Sequence, residues 1–277
     1  MRNAFSVDVE DWYQVSDFEE VIDFGAWDSF ESRVVRNTER VLQLLAEHEV
    51  KGTFFVLTWN AERHPELVRR IADAGHEIAS HGYRHRLIYE QTPAEFRDDI
   101  MRSKKILEDL IGQPVWGYRA PSFSLTAASL WALDTLLECG MRYDSSIFPV
   151  SDRLYGIPNA KRFPFVIRTD GDRELVEFPM STARAASRNW PLGGGAYLRL
   201  FPYPYMRWGI RRVNREGQPA LVYVHPWELD LGQPRIKTKG KRGISTHYIN
   251  LHRTEARLGR LLRDFAFAPV RDVLGLR

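Results

Sequence analysis

Short apolar-rich runs at 4–9, 52–57, 76–80 and 115–119 alternate with longer stretches of helical period through the first half of the chain. This alternation constrains the fold more than any other feature. Gly52 to Leu57 is a nearly continuous apolar and aromatic run, the kind of strand that must be covered on both faces, as in a parallel sheet. Between the runs, Val34, Val41, Leu42, Leu44 and Leu45 line one side of a helix predicted over about 32–49. A second helix begins near Pro65 and stops at Gly75, and a third spans about 93–111. Thr126 can cap a fourth that runs to Cys139 and ends at Gly140, before a short strand over 141–144. Strand and helix in strict alternation with brief connections predict parallel βα units.

The second half is less regular. Runs at 162–168 and 174–179 read as strands joined through Asp170-Gly171-Asp172. Gly193-Gly194-Gly195 has no phosphate-loop pattern around it and reads as tight or flexible backbone near a binding surface. A helix is expected over 203–215 and a last buried strand over 219–225. Residues 231–246 are polar and basic, a long loop, and 247–265 form an amphipathic final helix.

With 277 residues the chain is long enough for one α/β barrel or two small domains. A net charge of +3 is too mild to imply nucleic acid. The single cysteine, Cys139, excludes an internal disulfide framework and a cysteine-rich zinc site. No apolar run approaches the ~20 residues of a membrane span. No signal-peptide pattern follows Met1, so a cytoplasmic protein is expected. Lys237, Lys239, Lys241 and Arg242 could dock it on a membrane or an assembly complex.

The chemistry gathers at strand ends. Asp8, His81, Arg119, Asp144 and His225 each fall at or just past the end of a predicted strand, where parallel βα architectures collect functional groups. His81 and His85, four apart, can reach one cation from a helix or a tight turn. Two histidines and one carboxylate leave positions open, which suits Zn²⁺ or another borderline divalent ion. A carboxylate that does not ligate can take a proton from water, and a separate histidine can protonate the leaving group. Each residue also has a bland reading. Asp8 to Asp11 could be an exposed acidic strand end, Arg119 a surface ion pair and His225 a core histidine. The aromatics Trp12, Trp27, Trp190, Tyr197 and Trp227 fit a core better than a sugar-stacking surface.

In order, Val7-Asp8-Val9-Glu10-Asp11, His81-Gly82-Tyr83-Arg84-His85, Arg119-Ala120-Pro121, Asp144-Ser145-Ser146 and Val224-His225-Pro226 resemble the motifs of the polysaccharide deacetylases of carbohydrate esterase family four, the NodB-homology enzymes. The resemblance covers about 3–230. The wording Val-His-Pro-Trp-Glu, with Asn250-Leu251-His252-Arg253-Thr254, is similar to a subgroup found in exopolysaccharide and exosortase-linked gene clusters. That subgroup carries an extra C-terminal segment.

The resemblance implies a distorted (β/α)7 barrel over 1–230, with 231–277 an extension packed on the same domain. It implies a hydrolase of carbon–nitrogen bonds other than peptide bonds, removing N-acetyl groups from a saccharide with the help of a divalent metal, most simply zinc. By the same resemblance Asp8 is the general base, Arg119 holds it, His225 is the general acid, and Asp144 pairs with His225. His81 and His85 are metal ligands. The third ligand is Glu10 or Asp11, because the adjacent aspartates of many members are separated here by Val9. Two other functions fit the same residues: hydrolysis of another amide or cyclic imide, and non-catalytic saccharide binding in a polysaccharide assembly complex.

Overall fold

The computed structural model describes residues 1–152, 155–236 and 246–276. Its first half follows the alternation read from the sequence. Strand β1 (Asn3–Val9) leads to helix α1 (Val34–Glu47), β2 (Thr53–Val56), α2 (Thr58–Arg63), α3 (Pro65–Asp73) and β3 (Glu77–Ser80). Then come α4 (Pro93–Ile111), β4 (Gly117–Tyr118), α5 (Trp131–Glu138) and β5 (Tyr143–Asp144). Thr92 and Glu95 cap α4 reciprocally, and Gly112 ends it in the left-handed region. Cys139 is buried at the end of α5.

An antiparallel hairpin, β6 (Phe165–Asp170) and β7 (Arg173–Glu177), turns at the expected Asp-Gly-Asp. A second hairpin, β8 (Thr182–Ala185) and β9 (Arg188–Pro191), has no clear signal in the sequence. The chain continues through α6 (Ala196–Leu200), α7 (Tyr203–Arg215), β10 (Leu221–Val224), α8 (Thr254–Asp264), β11 (Phe267–Ala268) and α9 (Val270–Leu274).

Strand order in the main sheet is β10-β1-β2-β3-β4-β5-β7-β6, with every pairing parallel except β6–β7, and with β11 added beside β1. The sheet curls into a distorted barrel. Between β7 and β10 the wall is made of irregular backbone: Met180 N–H donates to Ile147 O at 2.8 Å, and Leu221 N–H donates to Ser181 Oγ at 2.6 Å. Gly193 to Gly195 run beside β10, and a Cβ on Gly194 would overlap the carbonyl oxygen of Tyr223. The triple glycine is therefore a close backbone approach, as its composition suggested.

Alternation along β1 sorts its side chains. Phe5, Val7 and Val9 face the outer core with Val41, Leu45, Ile210 and Leu258. Ala4 faces the interior with Phe55 and Tyr223, and Ser6 and Asp8 share that side.

One reading needs correction. The helix expected over 247–265 begins at Thr254, because Asn250 takes a left-handed conformation (φ 53°). Residues 12–30 hold two 3₁₀ turns, with Trp12, Tyr13, Phe18 and Trp27 buried, while Val15, Ser16, Asp17 and Glu19 line the central cavity. That stretch both lines the site and packs as core. The basic residues Lys237, Lys239, Lys241 and Arg242 lie outside the described residues.

Candidate active site

The C-terminal ends of the parallel strands open into a cavity of 1080 Å³. Its floor carries most of the residues singled out above. Asp8 is the penultimate residue of β1 and Glu10 lies just past the strand. A Glu10 N–H to Asp8 O bond of 2.9 Å bends the chain there. His81 follows β3. His85 is delivered by an irregular turn, with Gly82 at φ 74° and His85 itself at φ 57°. Asp99 of α4 ties this turn down by accepting from Tyr83 N–H at 3.2 Å. A left-handed non-glycine residue is costly and persists where surrounding contacts impose it.

Glu10, His81 and His85 bring one ligand atom each within 4.8 Å of one another, and all three are buried. Glu10 Oε1 lies 2.8 Å from His81 Nε2 and 3.2 Å from His85 Nε2. His81 Nδ1–H donates to the carbonyl of Arg119 at 2.8 Å. With Nδ1 committed to that carbonyl, Nε2 of His81 is the ring atom that faces the Glu10 carboxylate, the place where a shared cation would be held. Burial works against ionised Glu10, but the charges of His85 and His225 and the hydrogen bonds from His81 and His85 hold its carboxyl well below the usual range. The donor set fits a divalent ion with open positions.

Asp11 is elsewhere. Its Oδ2 accepts from Ser32 Oγ–H at 2.8 Å and from the N–H groups of Arg33 (2.7 Å) and Val34 (3.1 Å). It caps the start of α1, where free N–H groups and the helix dipole favour a carboxylate. Burial raises its pKa, with those hydrogen bonds opposing the rise.

Arg119 is fully buried. Its Nη1 donates to Asp8 Oδ1 at 2.6 Å and to Ser6 Oγ at 2.8 Å, while Nε and Nη2 donate to the carbonyl and hydroxyl of Ser145. The guanidinium lies 4.1 Å from the centre of the Phe55 ring. Asp8 is thus fixed through one oxygen. The other, Oδ2, faces His225 Nε2 at 4.0 Å.

His225 does not pair with Asp144. Its Nδ1 lies 2.7 Å from Glu228 Oε1, which also accepts the His225 backbone N–H at 3.0 Å. Burial opposes protonation of His225, but the charges of Glu10, Glu228 and Asp8 and the Glu228 hydrogen bond outweigh it and raise its pKa to about 9. A cation beside Glu10 would cancel that residue's share, leaving Glu228 and Asp8. Asp144 instead accepts from Ser146 Oγ–H. It lies against Glu177, and burial raises the pKa of both carboxyls. Like charges side by side in the barrel wall favour a shared proton. Ser146 in turn accepts Ala120 N–H at 2.8 Å, so Asp144 supports the turn after Arg119.

Comparison with known proteins agrees with this geometry. Residues 25–143 match the polysaccharide deacetylase family, and 145–275 match a domain of unknown function, DUF3473. Residues 25–143 are thus similar to a polysaccharide deacetylase domain. Asp8 and Glu10 precede the matched deacetylase segment, which contains His81, His85 and Arg119, and His225 lies in the DUF3473 part. A peptidoglycan-N-acetylglucosamine deacetylase of Bacillus cereus is 37% identical over 98 residues, 35% of this chain and 36% of that protein. A chitooligosaccharide deacetylase of Bradyrhizobium is 30% identical over 99 residues, 36% of this chain and 43% of that protein. The chain thus covers well under half the length of these curated relatives.

Among solved structures, a Mycobacterium smegmatis protein named as a polysaccharide deacetylase superposes with a TM-score of 0.63 at 23% identity, over 98% of this chain and 88% of that one. An allantoinase, Puue, superposes at 0.64 with 14% identity, over 99% and 88%. Both share the fold of this chain.

Sequence reasoning missed Glu228 and Arg199. Glu228 stands in the quoted Val-His-Pro-Trp-Glu run, where its spacing of three from His225 was the available signal. Arg199 has no motif around it.

Proposed function

We propose that this chain is a metal-dependent hydrolase that removes N-acetyl groups from a sugar of a surface or extracellular polysaccharide or of its precursor. One observation carries the reading: the buried Glu10/His81/His85 group shares a cavity floor with an Arg119-held carboxylate and a carboxylate-paired histidine. The relatives named for peptidoglycan and chitooligosaccharide deacetylation support the substrate class. The Val-His-Pro-Trp-Glu wording supports membership of the exopolysaccharide-linked subgroup.

Glu10, His81 and His85 would hold the ion, with zinc our choice from two imidazoles and one carboxylate. Such an ion supplies Lewis acidity at the acetamide carbonyl and lowers the pKa of water. The chain's own residues supply the proton transfers. Asp8, fixed through Oδ1 by Arg119, takes a proton from the attacking water on Oδ2. His225, with Nδ1 on Glu228, offers the proton on Nε2 to the leaving amine. The carbon–nitrogen bond breaks to give acetate and a free amino sugar.

The test is acetate release from N-acetylglucosamine oligomers with Zn²⁺ or Co²⁺, beside a chelated control and Asp8→Asn. Metal-dependent release that falls at least about a hundredfold in Asp8→Asn is expected, the scale of a lost general base. Release that survives both the chelator and the variant overturns the assignment. A chain that binds the ion and releases no acetate returns weight to saccharide binding alone. Turnover of allantoin in its place would favour the cyclic-amide reading.

A further inference from the structure

Arg199 is a fully enclosed cation with a closed set of partners. Its Nε donates to Glu228 Oε2 at 2.8 Å. Its Nη1 donates to three carbonyls of a later segment, Thr246 (2.8 Å), His247 (2.9 Å) and Ile249 (2.8 Å). Arg199 is 1% exposed and Glu228 0%, so this pair has no solvent to orient it. Glu228 passes the constraint on, because its other oxygen receives both the ring and the backbone of His225. A second restraint acts on the ring face. Trp227 stacks on His225 (centroids 4.9 Å, 19°) and on His247 (4.0 Å, 14°), and His247 Nε2 lies 2.7 Å from Gln233 Oε1.

Every member of this array lies within residues 145–275, the segment matched as a domain of unknown function. The bend at Asn250 is what frees the carbonyls. In a continuous helix from 247, the carbonyls of His247 and Ile249 would be used by N–H groups four residues on. Here they converge on one guanidinium instead.

We propose that the DUF3473 segment orients the general acid of the deacetylase site, with Glu228 and Arg199 as positioning residues that fix the tautomer and direction of His225. This rests on the deacetylase reading for the identity of the acid, and on geometry for the orientation. Arg199 keeps Glu228 ionised in a buried place where a lone carboxyl would take up a proton. Burial opposes that ionisation, yet the charge of Arg199 and the contact with His225 lower Glu228 to about 2. Glu228 then selects the form of His225 with hydrogen on Nδ1 and turns Nε2 toward Asp8 and the cavity. The charged groups that bear on His225 are Glu228 on its own turn, Asp8 near the end of β1 and Glu10 just past it; His247, beyond the Trp227 ring, is held neutral by burial and by the charges of Arg199 and His225.

Glu228→Gln in the full chain tests this, because the amide keeps an oxygen for both His225 N–H groups while its NH2 replaces the oxygen that accepts Arg199 Nε–H, so the charge and the Arg199 bond are lost together. Three readouts are needed: Zn²⁺ stoichiometry, the pH profile of acetate release, and NMR titration of the labelled His225 imidazole. Metal content should stay at wild-type level. kcat should fall about ten- to a hundredfold, the usual cost of losing an outer partner, with KM little changed. The alkaline limb of the profile and the imidazole pKa should move down together by at least about one unit. Arg199→Lys should move both in the same direction by less, and it serves alone if Glu228→Gln does not fold. An imidazole pKa and alkaline limb unchanged in a folded variant overturn the proposal. The titration needs no turnover, so a wild-type chain that releases no acetate strikes the deacetylase reading and leaves this one to be decided by the imidazole.

Discussion

Glu10 and Asp11 are neighbours with opposite surroundings, and the turn at the end of β1 is the reason. Asp8 points into the barrel from β1, the Glu10 N–H to Asp8 O bond turns the chain so that Glu10 joins His81 and His85, and Asp11 reaches the start of α1. Glu10→Gln should therefore lose stoichiometric Zn²⁺, and Asp11→Asn should keep it while lowering stability by about 1–2 kcal/mol through the weakened cap. Metal analysis and urea unfolding on the two variants separate these outcomes. His81→Ala should lose metal and activity together; retained metal would remove His81 from the ligand set. His81, His85 and Arg119 were legible because motif spacing marks them. Glu228 was not, because a carboxylate three residues from a histidine acquires meaning only when Pro226 and Trp227 turn the chain back on itself.

At the scale of elements, length and period were reliable where one helix packs on one sheet face. α4 and α7 match their expected spans, since Pro93 and Gly112 bracket the first and an apolar stripe continues through the second. The helix expected over 247–265 was drawn too long because its amphipathic period runs on through Asn250, and period does not report which carbonyls a distant arginine will capture. Gly194 belongs here as well. Gly194→Ala must push β10 away at Tyr223, so a drop of several degrees in melting temperature is expected, with weaker turnover because β10 carries His225. The junction of α3 and β3 predicts an acid response. His76 accepts Gly52 N–H at 3.1 Å, and burial, with Lys51 nearby, lowers its pKa to about 4. Between about pH 6.5 and 4 the unfolded chain binds a proton there that the folded chain refuses. Stability must fall as pH falls through that window. His76→Asn keeps an acceptor and should flatten the decline in the urea midpoint; an equally steep decline would assign it to other groups.

For the whole molecule, the first strand gathers the most distant partners. β1 takes β2 and β10 as partners, and β11 extends it, so residues 3–9 are held by segments at 53–56, 221–224 and 267–268. We therefore expect 1–230 and 231–277 to behave as one folding unit. A piece ending at residue 144 leaves β1 without β10 and the outer core without α7 and α8. It should show no cooperative unfolding by circular dichroism, whereas the full chain should unfold in a single transition. A cooperative, protease-resistant 1–144 piece would refute this.

Local pattern alone determined the βα alternation, the strand ends that carry chemistry, and the histidine pair, because each depends on residues close in the chain. Tertiary structure decided which carboxylate joins the histidines, which one faces His225, and how Glu228 and residues 246–249 close around Arg199. Those choices depend on contacts that span as many as 263 positions, as the bond from Asn3 Nδ2–H to the Ala266 carbonyl does. No spacing rule reaches that far, since only the closing of the barrel brings such residues within hydrogen-bond range.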